Sequence, residues 1–299
     1  MRTKDNGKYN TAGNTGKKKC AAFNWLKGVT AVLCAVVMYF AVTIGVRGYD
    51  MYKDAIAQVS LKDKVSEIRS KESYTVFSDL PETYTDAVLS VEDHRFYGHI
   101  GIDPIAITRA MVNDVKAGRF VEGGSTITQQ LARGTFLSNE KTLSRKIKEI
   151  FIARQLTKKY TKEQIMEFYC NSCCFANGIY GVEDASQKYF GRSVSDLSLS
   201  ETAYICAIPN RPEYYNPLKN SENAISRRNK ILQDMYECDY ITKDAGDAAL
   251  AENITVAEVS DEEDTFYNYE ATYAINCAIR YPVSYTISEP TRLQLISYA

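Results

Sequence analysis

The stretch VEDHRFYGHIGIDP at residues 91–104 holds both histidines of the 299-residue chain, His94 and His99, beside the carboxylates Glu92 and Asp93. Three chemistries fit that grouping: a metal site, a general acid or base, and an ordinary polar loop. A carboxylate serves as a general base when a partly apolar setting lifts its pKa toward the working pH. Further along, EGGSTITQQLAR at 122–133 joins two glycines to a helix start. The glycines let backbone approach a ligand, and the free N–H groups of the helix start favour anions. Ser125, Thr126, Thr128, Gln129 and Gln130 add hydroxyls and amides suited to sugar oxygens or phosphate. Arg133, Lys141, Arg145, Lys146 and Lys148 then surround Glu149. Lys141, Arg145 and Lys148 share one helix face, and Arg145 lies one turn before Glu149. By spacing alone that is a solvated face with an i,i+4 ion pair. The sharper reading is a clamp of fixed cations for a multiply charged leaving group such as pyrophosphate.

The elements that must hold these residues are helical. DPIAITRAMVNDVKAG opens with Asp103 as N-cap and Pro104 at the first helical position, and it ends at Gly118. Thr126 with Gln129, Thr161 with Gln164 and Ser198 with Glu201 have the spacing of capping boxes. KTLSRKIKEIFIARQL repeats apolar residues at Leu143, Ile147, Ile150 and Phe151, close to the helical period. Alternating strand patterns are scarce between 85 and 255, which predicts a mainly α domain.

The formal net charge of −1 conceals an asymmetry. Residues 1–27 carry seven cations against Asp5, a net of +6, which leaves −7 for the remainder. A body so acidic is a poor nucleic-acid binder. Residues 28–46 contain no charged side chain and span about 28 Å as a helix, close to the thickness of a bilayer core. The basic front predicts a cytoplasmic N-terminus and an extracellular body behind a single membrane pass. Of eight cysteines, Cys170, Cys173, Cys174, Cys206, Cys238 and Cys277 fall in that exported part, where disulfides and free buried thiols are both open. CNSCC lacks a nearby histidine or second cysteine pair, so a metal site there is disfavoured. The expected organisation is a basic tail at 1–27, a transmembrane helix at 28–46, a stalk at 47–79, the catalytic domain at 80–256 and an acidic, tyrosine-rich tail at 257–299. The polar composition of residues 1–19 predicts disorder there.

VEDHRFYGHIGID resembles the first signature of the peptidoglycan glycosyltransferases, the family of the monofunctional enzymes and of the transglycosylase modules of class A penicillin-binding proteins. GGSTITQQLAR, RKIKE, KEQIMEFYCN and GVEDASQKYFGRSVSDLSLSETAYICAIPNRPEYYNP resemble its later motifs in the same order. The resemblance covers about residues 80 to 250. It implies a lysozyme-like, mainly α fold that polymerises lipid II into glycan strands, with inversion and release of undecaprenyl pyrophosphate. Glu92 matches the catalytic glutamate that takes the acceptor hydroxyl's proton, and Glu149 the second essential glutamate, near the phosphates. Arg133 and Lys141 match cations on the pyrophosphate, and Ser125, Gln129, Gln130, Arg145, Lys146 and Asn171 match further substrate-binding positions. No metal ligand set and no required cofactor are implied, although magnesium or manganese can assist at the diphosphate. His99, Phe96 and Gly101 are expected to shape the loop that holds Glu92. Residues 105–121 are the expected apolar flank toward the membrane. Partners are lipid II, the lipid-linked strand, the membrane and proteins of cell-wall synthesis or division.

Some positions depart from the family pattern: Arg133 replaces a commoner Lys, Gly134 a usual Asn, and Ala176 a usual Gly, while NSCCFANG puts cysteines at apolar and aromatic positions. Two alternatives stand beside this reading. A lysozyme-like muramidase also uses cleft carboxylates, but its leaving group is a neutral sugar that needs no cationic clamp. A truncated bifunctional penicillin-binding protein is the other, since the tyrosine-rich tail resembles the segment leading into a transpeptidase domain. SNEK at 138–141 and SEN at 221–223 match transpeptidase fragments formally, but no K-T-G-like triplet follows.

Overall fold

Side-chain caps mark the starts of α-helices at several points along the chain. The computed structural model describes residues 14–58, 60–119, 123–137 and 142–257. Within them Asp103 accepts from the backbone N–H groups of Ile105 and Ala106 at 2.9 and 3.2 Å, and Gly118 closes that helix in the left-handed region at φ 64°. All three expected capping boxes form, each satisfying two N–H groups that the helix itself leaves unpaired. Such a cap contributes about 1 kcal/mol.

The helices are α1 (Asn14–Gln58), α2 (Leu61–Arg69), α3 (Glu82–Glu92), α4 (Pro104–Ala117), α5 (Ile127–Phe136), α6 (Leu143–Lys159), α7 (Lys162–Ser172), α8 (Val182–Phe190), α9 (Leu199–Ala207), α10 (Ser221–Glu237) and α11 (Lys243–Ala251). Among the described residues the only β pairing is an isolated antiparallel bridge between Cys174 and Tyr180. The mainly α expectation holds.

Two groups of helices share the core. α9 lies against α3 and α10, while α5, α6 and α7 pack on one another. The largest fully buried side chains, among them Tyr84, Phe96, Phe168, Tyr189 and Tyr204, come from both groups, from α8 and from a connecting loop. Arg228 of α10 is buried and donates to Ser200 Oγ and to the carbonyls of Leu250 and Glu252. Those bonds let its charge sit between α9 and the end of α11.

Two expected boundaries move. Composition predicts disorder for residues 1–19, yet α1 begins at Asn14. The stalk is expected over 47–79, yet within it Leu61, Val65 and Ile68 are buried in the main core and α2 packs on α7. Its apolar residues are too sparse to announce a core helix, and the face of α7 gives them a partner. The tail from 258 onward lies outside the described residues.

α1 contains a stretch, Gly28–Ala57, that is long and apolar enough to cross a membrane; its most apolar window has mean hydropathy 2.4 and is not buried. This is consistent with membrane anchoring. Its C-terminal part turns toward the body: Tyr52 is buried and stacks on Phe151 of α6. Gly48 permits that approach, because a Cβ there would stand 2.5 Å from the Ile147 side chain and 2.6 Å from the Phe151 ring.

After α7 the chain makes a tight turn with Ala176, Asn177 and Gly178 all at positive φ (66°, 48° and 74°). Alanine in that region is strained by about 1–2 kcal/mol relative to glycine's freedom there. Ala176→Gly is therefore expected to stabilise the protein by about 0.5–1 kcal/mol despite the added freedom of its unfolded chain. A denaturant midpoint that shifts downward would contradict this account.

Candidate active site

Glu92 is the last residue of α3, and the loop behind it is pinned at several points. Asp93 turns inward, where its Oδ2 accepts from His99 Nε2 at 2.8 Å and from the backbone N–H of Ile127 at 3.1 Å. The N–H of Gly101 donates to His99 Nδ1 at 3.1 Å, which leaves the ring proton on Nε2 facing Asp93. Thr126, the N-cap of α5, donates its hydroxyl to the Gly101 carbonyl at 2.8 Å. Gly101 sits at φ 96°, and a Cβ there would meet Thr157 Oγ1 at 2.5 Å and the Ala153 carbonyl oxygen at 2.7 Å. The opening stretch is thus a rigid bracket between α3 and α5. His99 orients it and His94 does not take part: its Nδ1 faces the Cys238 sulfur at 3.2 Å.

The Glu92 carboxylate is held by Gln130, whose Nε2 donates to Oε2 at 2.6 Å. The side chain of Asn210 lies close enough to act on the same carboxylate, and the guanidinium groups of Arg227 and Arg133 lie within electrostatic reach. Burial pushes the Glu92 carboxyl above its ordinary range, while Gln130, Arg227, Asn210 and Arg133 pull it partly back. The floor beneath it includes Tyr169, Cys173 and Cys206. Burial pushes the Cys173 thiol up to about 12, so it stays protonated and acts as a small apolar lining. Cysteines at these positions therefore keep the carboxylate's surroundings low in polarity.

On α6, Glu149 is fully buried. Lys146 Nζ donates to Glu149 Oε1 and, at 2.7 Å, to Ser125 Oγ. The ion pair with Glu149 is thus formed from i,i+3 by Lys146, where the spacing alone suggests Arg145 at i,i+4. Glu149 Oε2 has no hydrogen-bond partner among the described residues. Ser125 precedes α5 and Gln130 lies on it, so one helix ties the Lys146–Glu149 pair to Glu92 across about one and a half turns.

Glu92, Ser125, Gln130, Arg133, Lys146 and Glu149 gather around α5 and α6, as the sequence leads one to expect. Arg145 is half-buried on α6 one residue before Lys146, and Lys141 lies outside the described residues. Two expected substrate-binding residues turn inward. Gln129 is fully buried with its amide oxygen accepting from the N–H of Thr126, because the capping box claims it. Asn171 is 1% exposed; its Oδ1 accepts from the Thr75 N–H, and its Nδ2 donates to the Thr75 and Glu167 carbonyls. It clips the 70–79 segment to α7, which uses both ends of its amide.

Sequence reasoning missed Asn210 and Arg227 as partners of Glu92. Asn210 lies in ICAIPNRPEYYNP, but nothing local links position 210 to position 92. The signal available was a polar residue directly after a helix-stopping proline.

A carboxylate with raised pKa beside an amide donor, across one helix from a lysine-bearing wall, can accept a proton at one end and receive negative charge at the other.

Residues 61–236 match the family model described as Transglycosylase. The chain is 42% identical over 208 residues to penicillin-binding protein 1A of Aquifex aeolicus, covering 69% of this chain and 29% of that protein. It is 47% identical over 176 residues to penicillin-binding protein 1A of Vibrio cholerae, covering 59% and 21%. With penicillin-binding protein 4 of Bacillus subtilis it shares 40% identity over 208 residues, covering 69% and 33%. The chain spans about a third or less of the length of these relatives.

Proposed function

The chain belongs to the transglycosylase family, whose domain is lysozyme-like, and on that premise we propose that it is a peptidoglycan glycosyltransferase that polymerises lipid II. The observation that carries this reading is the Glu92 carboxylate, held by Gln130 and raised by burial, tied through α5 to the Lys146–Glu149 pair. Glu92 takes the proton of the acceptor sugar's 4-hydroxyl as that oxygen attacks the donor's anomeric carbon from the side opposite the diphosphate. The anomeric centre inverts, the glycosidic bond forms, and undecaprenyl pyrophosphate leaves with the electron pair of the broken bond. Lys146 and Arg133, with Arg145 and Lys141, supply fixed positive charge where the departing diphosphate becomes more negative. Glu149 holds Lys146 in place, and Ser125 offers a hydroxyl beside it.

Among the described residues no group of three or more His, Cys, Asp or Glu side chains gathers in a way that could hold a metal ion. A magnesium or manganese ion assisting at the diphosphate would add positive charge there, beside Lys146 and Arg133.

The membrane reading is supported by the position of α6. α1 leaves its apolar stretch and packs on α6, the helix that carries the proposed clamp, so the diphosphate site lies near the expected bilayer surface. The basic front of the chain favours a cytoplasmic N-terminus and an extracellular catalytic body. On α4, Ile105, Met111 and Val115 are 57, 64 and 82% exposed, an unusual density of open apolar surface that fits contact with lipid. Ile105→Asp with Met111→Asp is expected to leave stability within about 0.5 kcal/mol, since both side chains are exposed. The same pair should lower lipid II turnover by about tenfold or more, from lost apolar contact. Equal loss of stability and turnover would count against a lipid-facing α4.

Incubation of the protein with lipid II and, separately, with finished peptidoglycan tests the reaction. Chain growth with release of the lipid pyrophosphate is expected from the first and no fragments from the second. Release of fragments without growth would establish the muramidase alternative.

A further inference from the structure

A hollow with a volume of about 250 Å³ is lined in part by Arg227, one of the cations that act on Glu92. Tyr214 and Tyr215 of the loop 209–217 form one wall, and Asn223, Ser226, Arg227 and Lys230 of α10 form the other. The hollow is preformed. The Tyr214 and Tyr215 N–H groups both donate to the Arg211 carbonyl at 2.9 Å. Asn216 Oδ1 accepts from the backbone of Leu218 at 3.0 Å, and its Nδ2 donates to Asn177 at 2.9 Å. The loop therefore loses little freedom when a ligand enters.

Its chemistry is one-sided. Arg227 and Lys230 line it, and the Arg211 guanidinium stands 5.4 Å from the Tyr214 ring. Lys230 is held charged by Asp234 at 2.7 Å, while Glu213 faces Lys219 at 3.9 Å. Arg227 Nε is buried without a hydrogen-bond partner among the described residues. Cations, phenol hydroxyls, an amide and a serine hydroxyl together suit a ligand made of acceptor oxygens. The cations proposed for the diphosphate stand on α5 and α6, so this wall calls for a different anion of the same substrate.

We propose that this hollow is a subsite for a carboxylate of the peptide borne by lipid II, gripped by Arg227 and Lys230 with Tyr214 and Tyr215 packed along the peptide. The assignment rests on the lipid II reading. It also joins the subsite to the reaction centre, because Arg227 lines the hollow while its charge acts on Glu92, and Asn210, which also acts on Glu92, lies on the loop that presents Tyr214. A peptide carboxylate on Arg227 thus draws part of that cation's field away from the proposed base.

The test uses the full chain in detergent and a soluble disaccharide–pentapeptide that has neither lipid nor phosphate. Its binding is measured by calorimetry against the same compound with the peptide carboxylates amidated. The wild type should bind the free acid about tenfold more tightly, the scale of a charge-assisted hydrogen bond. Tyr214→Ala with Lys230→Ala, both at exposed positions, should shrink that preference to less than about twofold. Absent binding, equal binding of both compounds, or a preference that survives the double substitution overturns the subsite. Polymerisation of lipid II followed in parallel separates the two proposals. Growth with no carboxylate preference removes the subsite and keeps the reaction, whereas a preference without growth keeps the subsite and removes the reaction.

Discussion

Glu92→Gln is expected to abolish lipid II polymerisation and to raise the melting temperature of the protein. The activity loss should be at least about 10²–10⁴-fold, the usual contribution of a positioned general base. The gain in stability follows from linkage. Burial raises the Glu92 carboxyl in the folded state, so between its unfolded and folded pKa values the folded protein binds more protons than the unfolded chain. Stability therefore falls as pH rises through that window, and at neutral pH the ionised carboxylate is a net cost. Glutamine keeps the acceptor oxygen for Gln130 and removes the charge. The wild-type rate should fall as pH drops through the raised pKa, placing the acidic limb above the ordinary carboxylate range. Thermal melts at pH 5 and pH 8, with a pH–rate profile, check both halves. A variant that still polymerises with the wild-type profile would remove Glu92 from the role of base.

Asp93→Ala is expected to be the most damaging single change in the bracket behind that residue. It strips the partner from His99 Nε2–H and from the Ile127 N–H, both buried. Two unsatisfied buried donors cost about 3 kcal/mol together, or roughly 6–12 °C in a domain of this size. Polymerisation should fall with it, because the loop that fixes Glu92 against Gln130 loses its tie to α5. Asp93→Asn provides the control. One oxygen, Oδ2, takes both the 2.8 Å and the 3.1 Å bonds, so an amide with its oxygen in that place retains much of the stability. A midpoint for Asp93→Ala within about 1 kcal/mol of the wild type would mean that the bracket is held by packing alone.

Much of the helix architecture was legible because caps are local. Asp103, the Thr126–Gln129 box and the Ser198–Glu201 box each need only residues within one turn, so spacing suffices to identify them. The same locality hides a difference between two neighbours. Gln129 and Gln130 are chemically identical neighbours, and sequence reasoning assigns substrate contact to both. A helix turns 100° per residue, so one is consumed by the cap and buried while the other meets Glu92. The inward turn of Asn171 is not legible for a related reason, since its partner Thr75 lies 96 residues away.

By itself the sequence determined the helical class, the cap positions, the apolar stretch behind a basic front, and the two glutamates with their neighbouring cations. Each of these is written in short-range spacing or composition. Only the tertiary structure decided that Lys146 pairs with Glu149, that residues 61–79 belong to the core, and that Asn210 and Arg227 stand beside Glu92. Those outcomes depend on which faces of distant helices meet, and burial, the quantity that sets a carboxylate's proton affinity and a side chain's free hydrogen bonds, exists only once they have met.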